Sequence, residues 1–248
     1  PHPTHMEQEC LNNGFHKVIK GFGETALLEY LTGQKIELKS LDDIPFPDRN
    51  ALPIKEYYYP INDLLSTPVM TSRGCPYSCS FCATMQAQYE LNSVDYVINE
   101  LDYIHQTYKY KAFMLQDDLF AINEKRILEI ANKLDGKYIF RGNTRANLTN
   151  ARIIKIFKKL NIVELGIGIE SGSEKILKEN LKKTSPKINT EAINLLQDNG
   201  IRVKAFIIIG LPGETHKTVQ ETINWLEETK PYDIDIACFQ PYPGSAIF

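Results

Sequence analysis

The stretch Cys75-Pro-Tyr-Ser-Cys79-Ser-Phe-Cys82 places three cysteines on one short loop with the spacing C-x3-C-x2-C. Three thiolates so arranged can hold three corners of an iron–sulfur cluster. The fourth iron then stays open to a ligand that is not protein, which a cluster needs if it is to do chemistry on a bound molecule. A cluster that only carries electrons is normally closed by four cysteines. Other uses of the thiols fit less well. Structural zinc takes four ligands, usually as two pairs, but Cys10 and Cys238 are isolated and no Cys/His pair completes a tetrahedron. A redox dithiol reading of Cys79-Ser-Phe-Cys82 leaves Cys75 unused. Sparse cysteines, odd in number and without a signal-peptide pattern, argue against disulfides.

Outward from this loop, strand and helix signals alternate. Thr67–Gly74 reads as a short apolar strand running into a glycine turn. Six apolar runs follow one another at Pro68–Thr71, Ala112–Gln116, Tyr138–Gly142, Val163–Ile169, Val203–Ile209 and Ile234–Phe239. Several are rich in Val, Ile and Phe without strict alternation, as expected of strands buried on both faces. Helical patterns separate them. Ser93 caps a one-faced helix, Asn123 opens Glu124–Leu134, Thr149 precedes Ala151–Leu160, Ser185-Pro186 opens a helix stopped by Gly200, and Glu214 or Thr215 starts the Trp225 helix. Repeated strand–helix units predict a parallel sheet with right-handed crossovers. Periodicity does not distinguish a barrel from a doubly wound sheet.

The 248 residues suffice for one large α/β domain or a domain plus a fragment. The formal net charge of −3 gives no electrostatic case for nucleic acid. No apolar run approaches the roughly 20 residues of a membrane span, and a cytoplasmic location is expected. The chain opens on Pro1 rather than Met, so an upstream portion is expected, a tag remnant ending in His5-Met6 being the alternative.

The cysteine loop, with the aromatic Phe81 directly before the third cysteine, resembles that of the radical S-adenosylmethionine (SAM) superfamily. The resemblance implies an α/β fold, a (β/α)6 partial barrel over residues 67–248. In a parallel barrel the loops at the strand ends converge on one centre, and each strand end here is polar or glycine-rich. The resemblance implies that Cys75, Cys79 and Cys82 ligate a 4Fe-4S cluster with Phe81 beside it. Asp117 and Asp118 match the family position that meets the SAM ammonium, for which adjacent carboxylates are suited, a helix-entry cap being the other reading of Asp118. Arg145, and more weakly Arg141, would fork the SAM carboxylate or form a structural ion pair. Glu170, with Ser171 next to it, corresponds to the ribose-binding position, and the glycines of Gly166-Ile-Gly168 suggest close approach of another group. Gly210-Leu211-Pro212-Gly213-Glu214 and Gln240-Pro241 would border the adenine. Cys238 reads as a buried core cysteine and His105 as a surface residue. No catalytic residue is assigned.

The first third reads differently. Thr4–Asn13 has a helical pattern, Lys17–Lys20 reads as a strand ending at Gly21-Phe-Gly23, and Glu24–Leu31 as a helix. Residues 1–32 resemble the C-terminal α-β-α end of a cobalamin-binding, doubly wound domain, followed by a linker over 33–66 that carries Ile44-Pro-Phe-Pro-Asp-Arg49. The cobalt-coordinating histidine motif of many such domains is not in this sequence.

Together these resemblances imply an enzyme that cleaves SAM reductively to a 5′-deoxyadenosyl radical and acts on an unactivated carbon. Cobalamin is the expected further cofactor, and methyl transfer and oxidative cyclisation or rearrangement are both open. The expected partners are a small-molecule or peptide substrate and an electron donor such as flavodoxin or ferredoxin. A tRNA methylthiotransferase is a weaker alternative, since only Cys10 stands where that class needs an upstream triad. A non-catalytic iron–sulfur carrier or sensor is the alternative outside enzymes.

Overall fold

The computed structural model describes residues 2–21, 23–83 and 88–248. Helices α1 (His2–His5), α2 (Glu7–Asn12) and α3 (Gly23–Thr32) come first. Strands β1 (Pro60–Ile61) and β2 (Leu64–Val69) form a hairpin, and β3 (Ser72–Arg73) and β4 (Glu90–Leu91) bracket the cysteine loop. The rest alternates: α4 (Val94–Tyr108), β5 (Ala112–Leu115), α5 (Glu124–Leu134), β6 (Ile139–Thr144), α6 (Ala151–Lys159), β7 (Ile162–Glu170), α7 (Glu174–Glu179), α8 (Pro186–Asp198), β8 (Arg202–Ile209), α9 (His216–Thr229) and β9 (Asp233–Cys238).

Strand order decides what periodicity left open. The main sheet runs β1-β2-β5-β6-β7-β8-β9, with every pair after β1–β2 parallel. A doubly wound sheet reverses its strand order at a switch point. Here the order never reverses, so right-handed crossovers put every helix on one face and leave the other concave. The result is a curled half-barrel. Between sheet and helices lies the core, built around Phe113, Ile127, Tyr138, Phe140, Ile153, Phe157 and Ile167.

The helix starts are fixed locally. Ser93 accepts a hydrogen bond from Tyr96 N, Asn123 from Arg126 N, Ser185 from Ile188 N and Thr215 from Thr218 N. Each satisfies a backbone donor that a helix leaves unpaired. For α6 the cap is Asn150, not Thr149, whose hydroxyl turns back to Arg145 O.

Four expectations are corrected. Residues 17–20 form no strand, because no neighbouring strand offers a ladder among the described residues. The sheet begins at Pro60, inside the stretch expected to be a linker, and Asn62 and Asp63 at φ 47° and 61° make the tight turn into β2. Strand β8 does alternate, with Val203, Ala205 and Ile207 buried under the helices and Arg202, Lys204 and Phe206 on the less covered concave face. Finally, β9 is exposed along its whole length and Cys238 with it, because no described helix packs outside this strand.

Candidate active site

The cysteine loop is tied down at its root. Asp117, at the end of β5, is buried and accepts hydrogen bonds from Thr71 N at 2.7 Å, Thr71 Oγ1 at 2.6 Å and Ser72 Oγ at 2.5 Å. Arg126, one turn into α5, donates from Nη2 to Thr71 O at 2.8 Å and from Nε to Asn92 O at 3.0 Å. Asp117 and Arg126 thus hold both ends of the loop that β3 and β4 close. Burial pushes the Asp117 carboxyl up, opposed by the bonds from Ser72 and Thr71 and by the Arg126 charge. The expected meeting of Asp117 with the SAM ammonium is not supported: its hydrogen bonds go to the protein itself. Its exposed neighbour Asp118 faces the cavity and accepts from Gly74 N at 2.9 Å.

A cavity of about 260 Å³ opens at the strand ends. Cys75, Tyr77, Cys79, Phe81 and Cys82 line it from the loop, Asp118 and Leu119 from the β5 end, Asn143, Thr144 and Arg145 from β6, Gly166, Gly168 and Glu170 from β7, Lys182 from the α7–α8 connection and Phe206 from β8. Cys79 is buried and Cys75 and Cys82 are half-buried. Burial raises the Cys75 thiol, while a backbone bond at Tyr77 and the Arg145 charge act the other way.

Glu170 closes β7 at φ 65°, where the β7–β8 register slips. A side chain other than glycine is strained in this left-handed region, and here the kink turns the carboxylate into the cavity. It is met by Lys182 Nζ at 2.6 Å, with the Lys182 and Glu170 side chains only 7% and 9% exposed. The pair crosses over Gly168, where an added Cβ would collide with the Glu170 carboxylate and lie 2.7 Å from Lys182 Nζ. Gly166 likewise admits Asn143 and Phe206, the latter 2.5 Å from where a Cβ would stand. These two glycines hollow the floor of the cavity.

Arg145 lines the cavity, and three of its five N–H donors are engaged by the protein. Nη1 reaches Cys79 Sγ at 3.3 Å, Nε reaches Asn147 Oδ1 at 3.2 Å, and Nη2 donates to Lys182 O. Each of its three nitrogens has a protein partner, so a fork on the SAM carboxylate would have to use the second N–H of Nη1 and of Nη2. Arg141 points down the barrel to Glu164 at 2.7 Å and is a structural ion pair. Ser171 is fully buried and outside the cavity lining; its hydroxyl meets Thr222 Oγ1 at 3.1 Å and so anchors α9.

The turn Gly210–Glu214 and the segment Gln240-Pro241 are not part of the cavity lining. The turn is linked to the cysteine loop through Asn180, whose Nδ2 donates to Pro212 O at 3.1 Å and whose carbonyl accepts from Ser80 N at 3.2 Å. Thr144 Oγ1, in the cavity wall, and Glu214 Oε1, in the turn, are buried without a hydrogen-bond partner among the described residues. Native structures seldom leave such atoms unpaired, and of the two only Thr144 belongs to the cavity lining. Sequence reasoning misses Lys182, Asn143, Thr144, Tyr77 and Arg126. Asn143 and Thr144 are within its reach, as inward and terminal residues of a strand. Lys182 carries no local signal.

The radical SAM superfamily profile matches residues 69–226. The chain belongs to the radical SAM superfamily. It is 31% identical over 220 residues to an uncharacterized methyltransferase of Pyrococcus horikoshii, covering 85% of this chain and 47% of that protein. It is 30% identical over 219 residues to the anaerobic magnesium-protoporphyrin IX monomethyl ester cyclase of Rubrivivax gelatinosus, covering 85% and 39%. Among solved structures, the cobalamin-dependent SAM radical enzyme OxsB with aqua-cobalamin bound superposes with a TM-score of 0.69 at 21% identity over 95% of this chain and 40% of that one. The radical SAM methyltransferase TsrM of Kitasatospora setae gives 0.67 at 13% identity over 75% and 36%. This chain spans less than half the length of these relatives.

A radical SAM protein uses a 4Fe-4S cluster and SAM, and the donor set fits both. Among the described residues no three His, Cys, Asp or Glu side chains converge on a single metal ion. A cluster assigns each cysteine its own iron, so three thiols spread around one cavity suit it better than they suit zinc. An anion, a buried ion pair and an unpaired hydroxyl in the same cavity suit a zwitterion with a ribose. The floor glycine tests this: Gly168→Ala is expected to push Glu170 and Lys182 apart and weaken SAM binding by about tenfold or more, which corresponds to about 1.4 kcal/mol. Equilibrium dialysis against the reconstituted protein reads it, and unchanged affinity would place the ligand elsewhere.

Proposed function

We propose that this chain is the core of a cobalamin-associated radical SAM enzyme that acts on an unactivated carbon, by methyl transfer or oxidative cyclisation. The observation that carries the reading is that the three thiols share one cavity with Asp118, Glu170, Lys182 and the unpaired Thr144 hydroxyl. When bound, the cluster supplies the electron that cleaves SAM to a 5′-deoxyadenosyl radical. The protein's part is placement. Asp118 accepts the SAM ammonium. Lys182 offers the cation for its carboxylate. Glu170 receives the ribose hydroxyls once Lys182 turns to the ligand. Phe81 and Phe206 exclude water beside the radical. Gly210–Glu214 and Gln240-Pro241 border the adenine, where Glu214 Oε1 can take a donor.

The cobalamin association is supported by where the first helices lie. Glu24 of α3 forms an ion pair with Arg73, two residues before Cys75, at 2.6 Å. His5 of α1 packs its imidazole against Gly244, just past β9. The N-terminal segment therefore reaches both sides of the barrel mouth, and residues 1–32 are read as the end of a cobalamin-binding domain facing the cluster. OxsB is described with aqua-cobalamin bound and TsrM with cobalamin and a [4Fe-4S] cluster bound. A flavodoxin or ferredoxin as electron donor, and the cytoplasm as location, belong to the same proposal; no described helix is long and apolar enough to cross a membrane.

The test is anaerobic reconstitution with iron and sulfide, followed by dithionite and SAM carrying a labelled methyl group. Either 5′-deoxyadenosine or S-adenosylhomocysteine is expected. Neither product, with the cluster intact, would overturn the enzyme reading. Label entering a product separates methyl transfer from cyclisation.

A further inference from the structure

The guanidinium of Arg145 is held on every side. It lies 3.9 Å from the centre of the Tyr77 ring, whose hydroxyl accepts from Asn147 Nδ2 at 3.2 Å. Asn147 Oδ1 in turn accepts from Arg145 Nε at 3.2 Å, and Lys182 O accepts from Nη2. The residue is 7% exposed overall. The remaining nitrogen, Nη1, is aimed at Cys79 Sγ at 3.3 Å, and Cys79 is the buried member of the cysteine triad, at 5% exposure. A cation fixed this firmly, in a site where water screens it little, is more than a packing residue.

We propose that Arg145 is a positioning residue that sets the reduction potential of the cluster through its charge-assisted bond to the Cys79 sulfur. The proposal rests on the reading that these cysteines carry a 4Fe-4S cluster. Hydrogen bonds to ligating sulfurs, local charge and burial are the levers by which a protein tunes such a cluster. Reduction adds one negative charge to the cluster. A guanidinium against one of its sulfurs stabilises the reduced form more than the oxidised form, and so makes the cluster easier to reduce. The clamp of Tyr77 and Asn147 keeps Nη1 on the sulfur, in keeping with a role toward the cluster.

The test is redox titration of the reconstituted cluster without SAM, followed by electron paramagnetic resonance. At the potential that half-reduces the wild-type cluster, Arg145→Met is expected to raise the oxidised-to-reduced ratio about tenfold, equivalent to about 59 mV for a one-electron couple. Arg145→Lys, which keeps the charge, is expected to stay within about twofold of wild type. Iron content is measured in parallel, because a purely structural role would lower occupancy in both variants without moving the potential of the clusters that remain. Should Arg145→Met not retain a cluster, Tyr77→Leu carries the test, with a smaller shift of the same sign expected. An unchanged potential with the cluster intact, in Arg145→Met or failing that in Tyr77→Leu, overturns the proposal and leaves the enzyme reading standing. A wild-type chain that assembles no cluster overturns both.

Discussion

Cys79→Ala is expected to abolish cluster assembly, leaving iron and sulfide at background after anaerobic reconstitution and no cleavage of SAM. The three cysteines come from one loop and share one cavity, and no further ligand set is present among the described residues to replace a lost corner. Two thiolates hold an open cluster too weakly to survive reconstitution. The fold should persist. Removing one buried sulfur costs about 1 kcal/mol, a small part of the roughly 5–15 kcal/mol of a typical domain. Cys238→Ala is the control, since that thiol is exposed on β9, away from the cavity. It should bind a full cluster. Retained iron in Cys79→Ala would show that the triad does not hold the metal.

Asp117→Ala is expected to be the most destabilising single change at the site, by about 3 kcal/mol, because it leaves buried donors without their acceptor. Thr71 N, Thr71 Oγ1 and Ser72 Oγ all lose their acceptor. The damage falls on the root of the cysteine loop, so cluster loading should fail as well. Asp118→Ala is the contrast. That carboxylate is exposed and accepts one bond from Gly74 N, which makes its loss worth about 1 kcal/mol; its effect should fall on SAM affinity. Urea unfolding followed by the fluorescence of Trp225, the single tryptophan, separates the two. A lower midpoint at unchanged slope is expected for Asp117→Ala. Equal stability of the two variants would mean that Asp117 does not anchor the loop.

The adjacent aspartates show what the sequence can and cannot tell. Both carboxylates are legible as a polar pair at a strand end. Both lie past Leu115, the last residue of β5, where no strand alternation fixes the direction of a side chain, so the sequence does not say which faces the cavity. The same limit applies to Arg145. Its type and its place after β6 are readable; that Cys79, Asn147 and Lys182 take three of its donors depends on loops that meet it only in three dimensions. Ser171, next to Glu170 in sequence, turns away to α9 for the same reason. The hairpin at Asn62-Asp63 is legible in principle, since those residues tolerate positive φ, but β1 is two residues long and leaves no periodic trace.

By itself the sequence determined the chemistry available. Cys75, Cys79 and Cys82 lie so close along the chain that a single loop delivers all three, and the alternation of strands and helices is a local property that each segment carries with it. Tertiary structure decided the rest. Strand order made the sheet a half-barrel, because only the pairing of distant segments separates an unreversed order from a doubly wound one. It also brought Lys182 across to Glu170 at 2.6 Å and turned Arg145 onto Cys79 at 3.3 Å. Those contacts join residues that no local pattern links, and their strength comes from burial, a property of the assembled fold and not of any segment.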